Sequence, residues 1–314
     1  MAVTGDTSVL VLRALGLGDL LTGVPALRGL RRAYPSARIV LATPAVLEPL
    51  ALWCTGVDEV APTARLGELC WAGPVPDVAV NLHGRGPESI ADLMSTGAKT
   101  IISHSNCDTP DVIGPLWRDD VHDVDRWCAL LESAGISCRG EELGIDRPPG
   151  YPRRDGVVVI HPGAASAARR WPPDRFAAVA AALTRAGYRV VVTGSAAERS
   201  LTEIVAAYAG LRSTSVLAGE LDLLGMVALI SDARLLVCGD TGVGHIATAT
   251  GTPSVLLFGP TPPAQWGPRG TGRHIALWTG DRGDPHADRP DPGLMLITVA
   301  RVIAAARELL AECA

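Results

Sequence analysis

The chain has 314 residues, a formal net charge of −5, and 47% hydrophobic against 19% charged residues. That length exceeds the roughly 100 to 200 residues of one ordinary domain, so two domains with a cleft between them are expected, and the composition excludes extensive disorder. No Lys/Arg-rich run is present to sheathe nucleic-acid phosphates, and no stretch reaches the roughly 20 apolar residues of a membrane span.

A nucleic-acid partner is therefore not expected, and neither is a transmembrane segment. Lys99 is the only lysine, so arginine richness carries no weight of its own. The seven cysteines (54, 70, 107, 128, 138, 238 and 313) are scattered without a CxxC pair. This pattern indicates neither a disulfide framework nor a zinc site, and it fits a reduced, cytoplasmic setting.

The first elements read as a buried strand, "SVLVLRA", whose apolar run is stopped by Arg13 and is too short for a signal peptide. The helix "DLLTGVPALRGLRRAYP" follows, with Leu20, Leu21, Val24, Leu27 and Leu30 at helical spacing, and then the strand "ARIVLATP". Further strands are expected in "DEVAP", "DVAVNLHG" and "TIISHSN", and an amphipathic helix in "HDVDRWCALLESAGI", closed by Gly135. Residues 144–156, "GIDRPPGYPRRDG", are dense in Pro, Gly and charge, as expected of an interdomain linker. The domains are accordingly placed at 1–148 and 149–314.

The second half restarts the same grammar: strand "GVVVIHPG", helix "PPDRFAAVAAALTRAG", strand "YRVVVTGS" and helix "AAERSLTEIVAAYAG". Helix "DLLGMVALISDA", strand "RLLVCGD", helix "TGVGHIATATG", strand "PSVLLFGP" and a last helix in "ITVARVIAAARELLAE" complete it. Two α/β, Rossmann-like, doubly wound parallel sheets are implied, with ligands expected at the carboxyl ends of the strands.

Four turns at such strand ends could carry chemistry. In Gly16-Leu17-Gly18-Asp19-Leu20-Leu21, the third position of a dinucleotide fingerprint is Leu21 and no acid ends the next strand, which disfavours a nicotinamide site. Asp19 is either a first-turn acid that stabilises its helix or a general base for an incoming hydroxyl. At the second turn, Asp240, Thr241 and Gly242 head a helix suited to a diphosphate, with His245 one turn in, or they are caps and a core histidine.

The third turn carries Arg169 and Arg170 before a "Pro-Pro-Asp" helix start, with Trp171 as a staple; the arginines clamp a leaving phosphate or form a solvated pair. The fourth, "NLHGRGPES", exposes His83 and Arg85 on the acceptor side, or is a polar turn. Asp123 and Asp125 sit in a helical pattern and do not face one direction, so no metal-binding pair is expected.

Taken in this order, "LGLGDLLTGVPALRGLRRAYPSARI", "NLHGRGPES", "HPGAASAARRWPPDRFAAVA", "GDTGVGHIATATGTPSVLLFGPT" and "ITVARVIAAARELL" resemble glycosyltransferase family nine, the ADP-heptose:lipopolysaccharide heptosyltransferases. The resemblance spans nearly the whole chain. It implies a GT-B fold, two Rossmann-like domains facing across a cleft, acceptor on the first and sugar nucleotide on the second, with the last helix (about 296–312) bracing the first domain.

It also implies inverting transfer without metal or other cofactor, from an ADP-heptose-like donor to a glycan or small-molecule acceptor. Asp19 would be the base and Arg169, standing where heptosyltransferases carry a lysine, a catalytic cation. Asp240, Thr241, Gly242 and His245 match the family's D-T-G-x-x-H motif and would bind the nucleotide sugar together with Gly163 and Glu198, the latter resembling a ribose-binding acid. Gly18, His83 and Arg85 would serve the acceptor. The sparse lysine and the absence of an obvious membrane-facing basic patch leave a lipopolysaccharide, another cell-envelope glycan and a secondary metabolite all open as the acceptor, as well as peripheral membrane contact. Competing readings are a sugar-nucleotide epimerase on the same scaffold, a nicotinamide-dependent oxidoreductase and a catalytically silent binding protein.

Overall fold

The computed structural model describes residues 7–270, 272–280 and 282–311. The chain divides into two compact units, Met1–Leu143 and Gly144–Ala314.

In the first unit, strands β1 (Ser8–Leu12), β2 (Arg38–Thr43), β3 (Glu59–Pro62), β4 (Val78–Asn81) and β5 (Thr100–Ile102) form one sheet in the order β3-β2-β1-β4-β5. Every pairing is parallel, with Leu12 of β1 opposite Ala42 on one side and Asn81 on the other. Helices α1 (Leu17–Ala33), α2 (Glu48–Cys54), α3 (Glu88–Ser95) and α4 (Asp123–Ser133) accompany the sheet. Val9 to Leu12 are buried on both faces, as a continuous apolar strand requires, and α1 buries Leu20, Leu21, Val24, Leu27 and Leu30.

The strand order reverses beside β1: the chain winds outward through β2 and β3, then returns to place β4 on the other side of β1. The carboxyl ends of β1 and β4 therefore frame the crevice where open α/β sheets bind ligands. Those ends lead into residues 13–19 and 82–85.

The second unit repeats the plan. Strands β6 (Val157–His161), β7 (Arg189–Val192), β8 (Leu235–Gly239), β9 (Ser254–Leu257) and β10 (His274–Leu277) lie in the order β10-β9-β8-β6-β7, again all parallel. Its helices are α5 (Pro173–Arg185), α6 (Arg199–Ala209), α7 (Leu223–Asp232), α8 (Gly242–Thr250), α9 (Pro263–Trp266), α10 (Pro292–Leu296) and α11 (Val299–Ala311). Here the order reverses at β6 and β8, whose ends lead into residues 162–169 and 240–245.

Helix α11 buries Val302, Ala305, Ala306, Leu309 and Leu310 in the core of this second unit, alongside Phe176, Val179 and Leu183 of α5. Trp171 Nε1 and Arg175 Nη1 donate to the Ile297 carbonyl (both 3.1 Å), which fixes the start of α5 to the chain's last turn before α11.

Several expectations need correction. Residues 144–156, read as an interdomain linker, begin where the second unit begins and are tied to it: Arg147 forks onto both Asp232 oxygens (2.8 and 2.9 Å), and Tyr151 donates to Asp222 (2.9 Å). The strand expected through Asn106 stops at Ile102, because Ser105 turns to bond the Pro115 carbonyl (3.1 Å). Cys128 of α4 and Cys138 form a disulfide (Cα–Cα 5.1 Å), so the cysteine pattern is no argument for a reducing compartment.

Candidate active site

At the end of β1, Gly16 caps α1 in ordinary extended backbone (φ −82°, ψ −177°). The glycine is thus not required by strain. Asp19 Oδ2 accepts the Gly16 N–H (3.1 Å), the helix-capping contact that the local pattern predicts. No side chain among the described residues hydrogen-bonds its second oxygen, Oδ1, whose nearest cation is Arg13 Nη2 at 4.0 Å. Asp19 therefore caps with one oxygen and leaves the other available.

Burial raises the Asp19 pKa above the ordinary carboxylate value; Arg13 opposes this and the Asp123 carboxylate adds to it. Gly18 is buried in the same helical turn. Across the crevice, Asn81 organises the turn after β4 by accepting the N–H groups of His83 (3.1 Å) and Gly84 (3.4 Å) and donating to Ser89 and Ser103 (both 3.0 Å). His83 Nδ1 is buried without a partner, and burial, aided by Arg13, lowers its pKa to about 4, so the ring is neutral at pH 7. Arg85 is exposed in the same turn.

Sequence reasoning missed the group that joins these turns. Arg13 is fully buried, donates through Nε to the Asp19 carbonyl and through Nη1 to the Leu82 carbonyl, and binds Thr22 Oγ1 (2.9 Å) and Asp123 Oδ2 (2.8 Å) through Nη2. Asp123 also accepts from Thr22 (2.7 Å), Trp127 Nε1 (2.9 Å) and Arg126 (3.1 Å). One signal was present: Gly23 lies where a Cβ would meet Arg13 Nε at 3.0 Å, so a small residue in α1 admits the guanidinium.

In the second unit, His161 ends β6 with Nδ1 3.0 Å from Thr193 Oγ1. Glu198 Oε2 accepts from Ser195 N (2.8 Å) and Oγ (2.9 Å), and its Oε1 lies over Gly163, so the structure brings these two predicted residues together. The turn after them separates the two arginines. Arg170 Nε is spent on the Ala164 carbonyl (2.8 Å), whereas Arg169 Nη1 lies 3.9 Å from the Asp240 carboxylate.

Asp240 is buried at the end of β8, Thr241 caps α8 in extended backbone, and Gly242 opens the helix, so consecutive amides head α8 beside Arg169. His245 is a buried ring edge-on to Trp266 (4.9 Å). Trp171 is buried edge-on to Phe176 (5.1 Å), which fits the staple role. The first unit thus holds a half-buried carboxylate with an available oxygen at its switch point. The second holds a cation, a helix amino terminus and two acids at its own.

Comparison with known proteins matches residues 120–291 to the model of glycosyltransferase family 9 (heptosyltransferase). Lipopolysaccharide heptosyltransferase 3 of Escherichia coli is 36% identical over 204 residues, which cover 60% of each chain. The chain thus spans about three-fifths of that relative's length. Among solved structures, the family 9 glycosyl transferase from Veillonella parvula superposes with a TM-score of 0.81 at 24% identity, covering 99% of both chains. The E. coli heptosyltransferase WaaC with ADP-2-deoxy-2-fluoro heptose gives 0.69 at 17% identity, over 98% of this chain and 100% of that one. These likenesses establish the fold as two parallel-sheet α/β domains of the GT-B type.

Proposed function

This chain belongs to glycosyltransferase family 9, and we propose that it transfers a heptose from an ADP-heptose-like donor to an acceptor hydroxyl, with inversion and without a metal. The observation that carries the mechanism is Asp19, whose Oδ1 has no side-chain donor nearer than Arg13 Nη2 at 4.0 Å while burial raises its pKa. A base of raised pKa takes a proton more readily from a hydroxyl than an ordinary carboxylate does.

In this reading the acceptor oxygen attacks the anomeric carbon and its proton passes to Asp19 Oδ1. The bond from that carbon to the diphosphate oxygen breaks, and ADP leaves. Arg169 and the amides of Thr241 and Gly242 stabilise the charge that develops on the departing diphosphate. Asp240 contacts donor sugar hydroxyls, His245 the diphosphate side, and Glu198 beside Gly163 the ribose. Gly18, His83 and Arg85 form the acceptor side, where a neutral His83 offers hydrogen bonds without adding charge. The donor assignment is supported by the ADP-sugar analogue named with WaaC. The acceptor is a glycan or a small molecule.

The test is calorimetric titration of the purified protein with ADP, UDP, GDP and NAD, first without metal and then with magnesium, followed by incubation with ADP-heptose and an acceptor panel. Metal-independent ADP selectivity and glycosylated product support the reading. A rearranged sugar nucleotide with no acceptor consumed would replace it with an epimerase, and binding of NAD alone would overturn it.

A further inference from the structure

We propose that Asp123 is a positioning residue for Asp19: it holds the Arg13 guanidinium away from the Asp19 carboxylate, so that Oδ1 stays available to accept a proton. The inference rests on the reading of Asp19 as base. It begins from a competition. Arg13 is a fully buried cation at the end of β1, and a buried guanidinium needs a carboxylate partner. Two are within reach, Asp19 on α1 and Asp123 on α4, and an arginine that forked onto Asp19 would occupy the oxygen the reaction uses and lower its basicity.

The structure resolves the competition in favour of Asp123. Arg13 Nη2 lies 2.8 Å from Asp123 Oδ2 but 4.0 Å from Asp19 Oδ1, and its Nε and Nη1 go to main-chain carbonyls of Asp19 and Leu82. Asp123 is held in place by donors from three directions: Thr22 Oγ1 on α1, and Trp127 Nε1 and Arg126 Nη1 on α4. The Trp127 ring also lies 5.0 Å from Arg13 Cζ, which fixes the guanidinium plane. The charged groups that act on Asp19 are thus Arg13 at the end of β1 and Asp123 on α4; Arg126 on α4 acts on Asp123, and His83, kept neutral after β4, faces Arg13. Asp123 acts on Asp19 twice in the same sense, by engaging Arg13 and by its own negative charge.

The experiment is a carboxyl-carbon NMR titration of Asp19, assigned with Asp19→Asn, in wild type, Asp123→Asn and Thr22→Val. Asp123→Asn removes the charge that holds Arg13, and the Asp19 midpoint is expected to move to lower pH. Thr22→Val keeps the side-chain volume and removes only the hydroxyl that bonds Arg13, Asp123 and the Asp19 carbonyl; it is expected to shift the midpoint the same way by less, and it decides the matter if Asp123→Asn does not fold. In transfer assays the acid limb of the kcat profile should follow the midpoint downward, with kcat reduced and the KM for ADP-sugar unchanged. A merely structural role would not move the limb. A midpoint unmoved in the folded variants, or moved upward, overturns the inference. Sugar transfer by Asp19→Asn would instead overturn the base reading, so the two failures are distinguishable.

Discussion

The Glu198 carboxylate fills the space in front of Gly163: a Cβ on Gly163 would stand 2.1 Å from Glu198 Oε1 and 2.8 Å from Oε2. Because Oε2 is tied to Ser195, Gly163→Ala must swing the carboxylate away from the end of β6. Gly163 is not in left-handed backbone, so alanine is tolerated by the main chain. If Glu198 binds the ribose, losing a hydrogen bond to a charged group costs about 1.5–3 kcal/mol, which weakens ADP binding by roughly ten- to a hundredfold. Calorimetry on Gly163→Ala checks this, and unchanged ADP affinity would remove Glu198 from the site.

The two adjacent arginines should separate cleanly. Arg169 reaches toward Asp240, whereas Arg170 braces its own loop through the Ala164 carbonyl. Arg169→Ala is expected to lower kcat/KM by about 10²–10³, the usual loss when one donor to developing charge is removed. Arg170→Ala should cost about 1 kcal/mol of stability and far less activity. Equal losses of activity in the two variants would contradict the clamp assigned to Arg169.

Much of this was legible in the sequence because it is local. A buried apolar strand, a glycine turn and a helix start recur at Asp19, Gly163 and Asp240, and the strand order then brings each turn to a point of reversal. What stayed hidden depends on distance along the chain. Arg13 and Asp123 are 110 positions apart, and apart from the small Gly23 in α1 nothing near Arg13 distinguishes a buried arginine from a surface one. Strand β10 was missed because "HIAL" is short and only Leu277 of it is fully buried, which gives neither a clear alternation nor a long apolar run. The disulfide was missed because spacing alone could not show that α4 and the segment after it bring Cys128 and Cys138 together.

Asp19 should also trade stability for function. Its folded-state pKa is raised, so the folded protein favours the neutral carboxyl more than the unfolded chain does. A raised pKa contributes stability that is present below the unfolded value and is lost as pH rises through the folded one. At neutral pH the ionised carboxylate is therefore a cost, and Asp19→Asn should remove it. The variant is expected to lose transfer by at least 10²-fold, the lower range for a general base, while unfolding at higher denaturant than wild type at pH 7. The gap should close as pH falls through the Asp19 midpoint; a variant less stable than wild type at pH 7 would contradict the burial argument.

His161 sets an acid limit on the second unit. It is buried at the end of β6 beside Thr193, and burial lowers its pKa from 6.5 to about 4, opposed by the Glu198 charge. The sign is opposite to that of Asp19: between those pH values the unfolded chain binds a proton that the folded protein refuses, so stability is lost as pH falls from about 6.5 toward 4. At roughly 1.4 kcal/mol per unit the full loss is on the order of 3 kcal/mol. Hydrogen-exchange protection of β6 and β7 amides, measured across that range, should fall in wild type and fall less in His161→Gln, which cannot titrate but can still bond Thr193. His274, whose pKa burial also lowers to about 4, loses stability over the same range in both proteins, so the difference between them isolates His161. Parallel loss in the two proteins would show that His161 accepts its proton without leaving the fold.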